Sequence, residues 1–180
     1  MVKQEFNFKI KEQDVLPFVI KVNEWIEQGL PQDRSSDVLF FKSKLILTEL
    51  VTNAIKHAHT NDFNLVVGIE SDLVKITRIE NGNPFSLFSE GRALEWPLAA
   101  SYIGKPVMIL KDKMSNISAV IKDYYDIEFK LEEYSKDEEV VIDTLLEHFG
   151  LIIITKLSDK FNYSYDPNNH LNIFEATIKF

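Results

Sequence analysis

Hydrophobic positions along the chain recur with two different periods. Residues 3–11 alternate, with Phe6, Phe8 and Ile10 on one side and Lys9 and Lys11 on the other, which predicts a strand with one buried face. Val15, Phe18, Val19, Val22 and Ile26 then follow helical spacing to about Gln28. Asp14 stands at the cap position of this helix, Pro17 lies in its first turn, and Gly29 supplies a stop. After a polar connector over 30–36, a second helix is predicted over 37–59, capped by Ser35, Ser36 or Asp37. Two runs rich in Val, Ile and Leu, 63–70 and 73–79, flank Ser71-Asp72 and predict a tight hairpin. The second run ends in the turn-rich cluster Glu80-Asn81-Gly82-Asn83-Pro84-Phe85.

Periodicity weakens beyond Phe85. Residues 91–103 read as a helix interrupted by Pro97, residues 107–110 as a short apolar run, and residues 138–149 as a short helix. The apolar segment 151–157 fits strand or helix on periodicity alone. Residues 161–166 alternate, Pro167-Asn168-Asn169-His170 makes a turn, and 171–180 gives a closing strand. Strands grouped beside helices predict an α+β fold: a two-layer sandwich with helices on one face of a mostly antiparallel sheet.

Composition narrows the function classes. One domain over residues 1–180 is the default from length, with two small ones the alternative, and an apolar fraction of 45% is enough for a sizeable core. The net charge of −8 argues against nucleic acid and anionic membrane as main partners, because both demand a basic footprint. No apolar run approaches the roughly 18 residues that would span a bilayer, and no signal-peptide pattern opens the chain. The absence of cysteine removes disulfides and thiolate metal sites, and cytoplasmic residence is the simplest expectation. An acidic stretch over 123–147, set against Lys130 and Lys136, suits a solvated or partner-facing surface.

The second helix carries the chemistry. At about 100° per residue, Asn53, Lys56 and His57 fall within about 80° of Glu49, while Leu47, Leu50, Val51, Ala54 and Ala58 occupy the opposite sector. One face is built for a core, and the other aligns a carboxylate, a carboxamide, an ammonium and an imidazole. His57 and His59 project about 200° apart, so they cannot chelate one metal from this helix. A histidine at position 59 suits a helix C-terminus on dipole grounds alone.

Three stretches together resemble the GHKL ATPase superfamily (gyrase, Hsp90, histidine kinase, MutL). Glu49 and Asn53 match its Asn box, a Glu and an Asn separated by three residues. Lys56 and His57 fall where histidine-kinase relatives often carry a phosphate-contacting base and a ring near the nucleotide. The turn Glu80-Asn81-Gly82-Asn83-Pro84-Phe85 stands at the first glycine box, and its Gly-x-Pro-Phe form resembles the bacterial anti-sigma-factor serine/threonine kinases. Gly150-Leu151, followed by Ile154, Asp159, Tyr163, Asn169 and Leu171, is similar to that branch's last glycine box and closing hairpin, and it favours a helix over 151–159. Departures are Glu80 for the family's Asp, Pro84 for a second glycine, and His148-Phe149 before Gly150.

The resemblance implies the two-layer α/β sandwich of the GHKL (Bergerat) type and the cofactors ATP and Mg²⁺. Glu49 would accept a proton, Asn53 would hold Mg²⁺, Glu80 would accept a hydrogen bond from the adenine amino group, and Gly82, Gly150 and Leu151 would lie along the nucleotide. Residues 86–147 would form a lid or insert between the boxes. The implied function is control of a partner, a sigma factor or an anti-anti-sigma-like protein, by phosphorylation or nucleotide-dependent binding, with a homodimer left open. Two alternatives stand beside it: a degenerate interaction module without ATP binding, and a histidine-kinase catalytic domain working alone.

Overall fold

β1 (Val2–Lys9) alternates as its sequence requires, burying Phe6 and Phe8 while Lys3, Glu5 and Asn7 stay exposed. A computed structural model describes residues 2–10, 13–31, 37–57, 62–89, 91–111, 115–133 and 149–180. β1 pairs antiparallel with β2 (Asp62–Ile69), and the chain between them forms α1 (Val15–Gly29) and α2 (Asp37–His57). Phe8 stacks on Phe63 of β2 at 5.0 Å, and Phe18 of α1 meets Phe8 edge-on at 4.8 Å. This aromatic seam fastens α1 to the sheet. α1 and α2 are joined through a buried polar link, in which Ser43 Oγ donates to Asn23 Oδ1 at 2.5 Å and Asn23 Nδ2 donates to the Phe40 carbonyl at 3.1 Å. Both side chains are thereby satisfied where no water reaches them.

β2 continues through a hairpin into β3 (Leu73–Asn81), which pairs with the C-terminal strand β10 (Leu171–Lys179). Beyond β10 follow β9 (Lys160–Asp166), β8 (Asp126–Glu133), β7 (Ser115–Ile121) and β6 (Pro106–Lys111). The result is one eight-stranded antiparallel sheet in the order β1-β2-β3-β10-β9-β8-β7-β6. α3 (Phe149–Leu157) precedes β9 and packs against α2 and the β8-β9-β10 region. The fold is α+β, with a large antiparallel sheet carrying three helices among the described residues. None of the described helices is long and apolar enough to cross a membrane.

The middle of the chain differs from its sequence-based expectation. Residues 91–103 are not a helix: the short hairpin β4 (Phe88–Ser89) and β5 (Arg92–Ala93) and a single 3₁₀ turn, Ala100–Tyr102, occupy this region. The apolar run 107–110 is the centre of β6, and two further strands, β7 and β8, complete the sheet. Their period-two pattern is present in the sequence: Ile117, Ala119 and Ile121 are buried, as are Ile127 and Phe129 two positions apart on β8. Short strands with apolar residues on both faces, such as Val120 beside Ala119, blur the alternation. The 86–147 segment thus contributes sheet and core through residue 133, while 134–148, including most of the helix expected over 138–149, lie outside the described residues.

Candidate functional site

α2 splits its faces as the helical wheel requires. Leu47, Leu50, Val51 and Ala54 are at most 1% exposed, and each large side chain so buried stabilises the fold by about 1.5–3 kcal/mol; Ile46, one turn before Glu49 and on its side of the wheel, is buried as well. Glu49 and Asn53 are half-buried on another face, and Lys56 is exposed in the last turn. His57 is the last residue of α2, and its side chain falls outside the described set, as do His59 and His148.

Gly150, in the first turn of α3, brings its backbone against the chemical face of α2. A Cβ added at Gly150 would stand 2.7 Å from Glu49 Oε2 and 3.1 Å from both Asn53 side-chain heteroatoms. A side chain at this position would have to push the Glu49 carboxylate aside. The structure therefore brings Glu49, Asn53 and Gly150 together, although about a hundred residues of sequence separate the first from the last. Burial raises the Glu49 carboxyl above its ordinary 4.5, and Lys56 opposes that shift through space. Leu151, next in α3, is half-buried and packs against the core rather than facing outward.

β3 supplies the second part. Its inner face carries Val74 and Ile76, then Arg78 and Glu80, all buried. Arg78 Nη1 donates to the Leu50 carbonyl of α2 at 2.7 Å, and Nη2 donates to Glu80 Oε1 at 3.0 Å. The guanidinium lies 4.2 Å over the Phe174 ring. Burial pushes the Glu80 carboxyl above the ordinary range while Arg78 pulls it back, and desolvation likewise lowers Arg78 while Glu80 supports its charge. Two polar atoms of the pair, Arg78 Nε and Glu80 Oε2, are buried without a hydrogen-bond partner. Glu80 is thus tied through Arg78 to the carbonyl next in sequence to Glu49.

The turn after Glu80 is fixed by a network that the sequence reading does not contain. Gly82 adopts φ 155°, and its N–H donates to the His170 carbonyl at 3.1 Å. Asn172 Nδ2 donates to the Asn83 carbonyl at 3.1 Å, and its Oδ1 accepts from Tyr163 OH at 2.7 Å. Tyr163 OH in turn accepts from the Phe85 N–H at 2.8 Å, and Trp96 Nε1 donates to the Phe85 carbonyl at 2.9 Å. Burial pushes the Tyr163 phenol well above its ordinary value, so the hydroxyl stays protonated and can donate to Asn172.

No three His, Asp or Glu side chains among the described residues converge as a metal cluster. Mg²⁺ does not need one, since it keeps several waters and takes one or two protein oxygens beside substrate phosphates. A shallow groove of about 300 Å³ lies between β8, β9 and the far end of α3, lined by Lys130, Thr155, Lys156 and Asp159 among others. None of Glu49, Asn53, Glu80, Gly82 or Gly150 lines it, and its opposed charges, such as Lys156 paired with Glu133 at 2.5 Å, converge on no common ligand. The chemistry points to the α2–α3–β3 cluster instead. No protein-family model matches the chain, and comparison with curated proteins finds no match.

Proposed function

We propose that this chain is a GHKL-type nucleotide-binding regulator, taking ATP with Mg²⁺ and controlling a partner protein by serine phosphorylation or by nucleotide-dependent affinity. The observation that carries the reading is Glu80 Oε2, a buried acceptor without a partner at the end of β3, two residues before Gly82. A buried carboxylate oxygen left unbonded is costly unless a donor arrives, and the 6-amino group of adenine is such a donor. Glu49 is half-buried with a raised carboxyl pKa, which suits a proton acceptor working near neutral pH. Asn53 offers an amide oxygen for Mg²⁺, Lys56 a cation for phosphate, and the first turn of α3 at Gly150 backbone N–H groups. Bound Mg²⁺ would supply charge neutralisation across the phosphates. Gly82 belongs to the same proposed nucleotide surface. Cytoplasmic residence and a sigma-factor or anti-anti-sigma-like partner accompany this reading.

A second reading, a GHKL-type interaction module without ATP, draws on a different observation. The Gly150 backbone stands so close to Glu49 and Asn53 that a Cβ there would meet both side chains, which leaves little room between α3 and α2 for phosphates and a metal. Thermal unfolding with and without millimolar ATP–Mg²⁺ separates the two. A ligand at a hundredfold excess over Kd stabilises the folded state by about 2.7 kcal/mol, so a clear upward shift in Tm supports nucleotide binding. An unchanged Tm in cooperatively folding protein selects the interaction module.

A further inference from the structure

Arg78 has no counterpart among the functional residues read from the sequence, yet it is the hinge of the candidate site. Its guanidinium is held on three sides: by the Leu50 carbonyl at 2.7 Å, by Glu80 Oε1 at 3.0 Å, and by the Phe174 ring at 4.2 Å. It is 3% exposed, so it has no room to swing toward solvent. The bond to Glu80 is single. A fork-to-fork pair would have satisfied Arg78 Nε and Glu80 Oε2 against each other, and both instead stand unpartnered. Glu80 therefore has one oxygen committed to Arg78 and one uncommitted.

We propose that Arg78 is a positioning residue that fixes the polarity Glu80 presents to a purine base, engaging Oε1 so that Oε2 serves as a pure acceptor and selects a 6-amino over a 6-oxo purine. This rests on the nucleotide reading above. An ionised carboxylate accepts only, and a 6-oxo group placed against it would set acceptor against acceptor. A site built around a buried polar group rejects the analogue that leaves that group unpaired far more strongly than an apolar pocket rejects a size change. The guanidinium supplies the two conditions for this choice. It supports the charge on Glu80 against burial, and it removes the alternative in which either oxygen faces the base.

The test uses the orientation that Arg78 would impose on an amide. In Glu80→Gln, the guanidinium holds the carboxamide oxygen in the place of Oε1, which leaves the NH₂ in the place of Oε2 as a donor. The 180-residue chain is titrated with ATP and with inosine triphosphate, both with Mg²⁺, after each variant is shown to melt cooperatively. Wild type is expected to favour ATP by at least tenfold. Glu80→Gln should reverse that preference, and Arg78→Met/Glu80→Gln, whose amide is free to flip, should recover ATP binding relative to Glu80→Gln. A merely structural Arg78 predicts no reversal, so a Glu80→Gln protein that still prefers ATP as wild type does overturns the proposal alone. Wild-type protein that is folded and binds neither nucleotide overturns the functional reading and the proposal with it. Should Glu80→Gln not fold, Arg78→Lys decides. A single ammonium cannot reproduce the guanidinium's hold on both Leu50 and Glu80, so the ATP preference should fall at least threefold, and an unchanged ratio overturns the role.

Discussion

Glu49 Oε2 and Gly150 are so close that a methyl group at Gly150 would stand 2.7 Å from the carboxylate oxygen. The obstructing atom is the end of a flexible side chain, and Asn53 is only slightly further, at 3.1 Å. Gly150→Ala should therefore displace the Glu49 carboxylate without breaking the fold. Alanine also gains up to about 1 kcal/mol of helix propensity over glycine, which offsets the crowding. Expected are a change in unfolding free energy within about 1 kcal/mol and, if nucleotide turnover is present, a loss of about a hundredfold, typical of a misplaced catalytic group. Denaturant unfolding and a phosphate-release assay read the two effects separately. A variant with full turnover would mean that the position of Glu49 does not matter to the chemistry.

Glu49→Gln tests the proton-accepting role and a stability effect together. Burial raises the Glu49 carboxyl above 4.5, so the folded protein holds that proton more tightly than the unfolded chain does. The group's contribution to stability is then fully present below the unfolded value and is lost as pH rises through the folded one. Glutamine does not titrate, so the variant should melt higher than wild type at neutral pH, with the gap closing as pH falls below 4.5. If nucleotide turnover is present, it should drop by about 10²–10⁴-fold while nucleotide binding persists. Tm measured across pH 3–8, in the range that brackets carboxylate titration, checks the first part. A gap that widens toward acid would reverse the assigned sign.

The split faces of α2 were legible because helical periodicity over twenty-one residues is a strong signal, and Leu47, Leu50, Val51 and Ala54 are buried as the wheel requires. The two hairpins were legible for a similar reason, alternation bounded by turn residues. Arg78 escaped because period two on β3 places it among Val74 and Ile76, where a charge looks like a surface residue until its partner is found. A Glu two positions on, sharing the same face, was the available signal. The Tyr163–Asn172–Phe85 network was not readable, because it joins three residues from separate segments by tertiary contact alone. The approach of Gly150 to Glu49 likewise depends on how α3 lies on α2, which no local pattern encodes.

Tyr163→Phe should loosen the turn that follows Glu80. The hydroxyl accepts from the Phe85 N–H at 2.8 Å and donates to Asn172 Oδ1 at 2.7 Å, and both groups would be left unsatisfied. Removing one partner of such buried bonds costs about 1–3 kcal/mol. Faster amide hydrogen exchange at Phe85, with exchange across β1 and β2 unchanged, is the expected signature. Exchange at Phe85 equal to wild type would show that Trp96 and Asn172 hold the turn without the phenol.

Phe129 on β8 is 2% exposed, stacks on Phe161 of β9 at 4.7 Å, and meets Phe85 edge-on at 5.8 Å. Truncating a buried Phe to Ala typically costs about 3–5 kcal/mol. If β6–β8 were an independent flap, Phe129→Ala would melt that part and spare the rest. In a single sheet the loss must be felt at β1, at the opposite edge. The chain's two tryptophans sit at different places: Trp25 of α1 packs on Phe6 of β1 at 5.8 Å, and Trp96 packs on Tyr163 of β9 at 5.5 Å and donates to the carbonyl of Phe85, the residue whose ring meets Phe129. Single-tryptophan proteins made by Trp25→Phe or Trp96→Phe should therefore show coincident denaturant transitions, the usual mark of two-state unfolding. Phe129→Ala should lower both midpoints equally. A Trp96 transition that falls alone, with the Trp25 transition unmoved, would separate the β6–β8 half from the core and restore the flap.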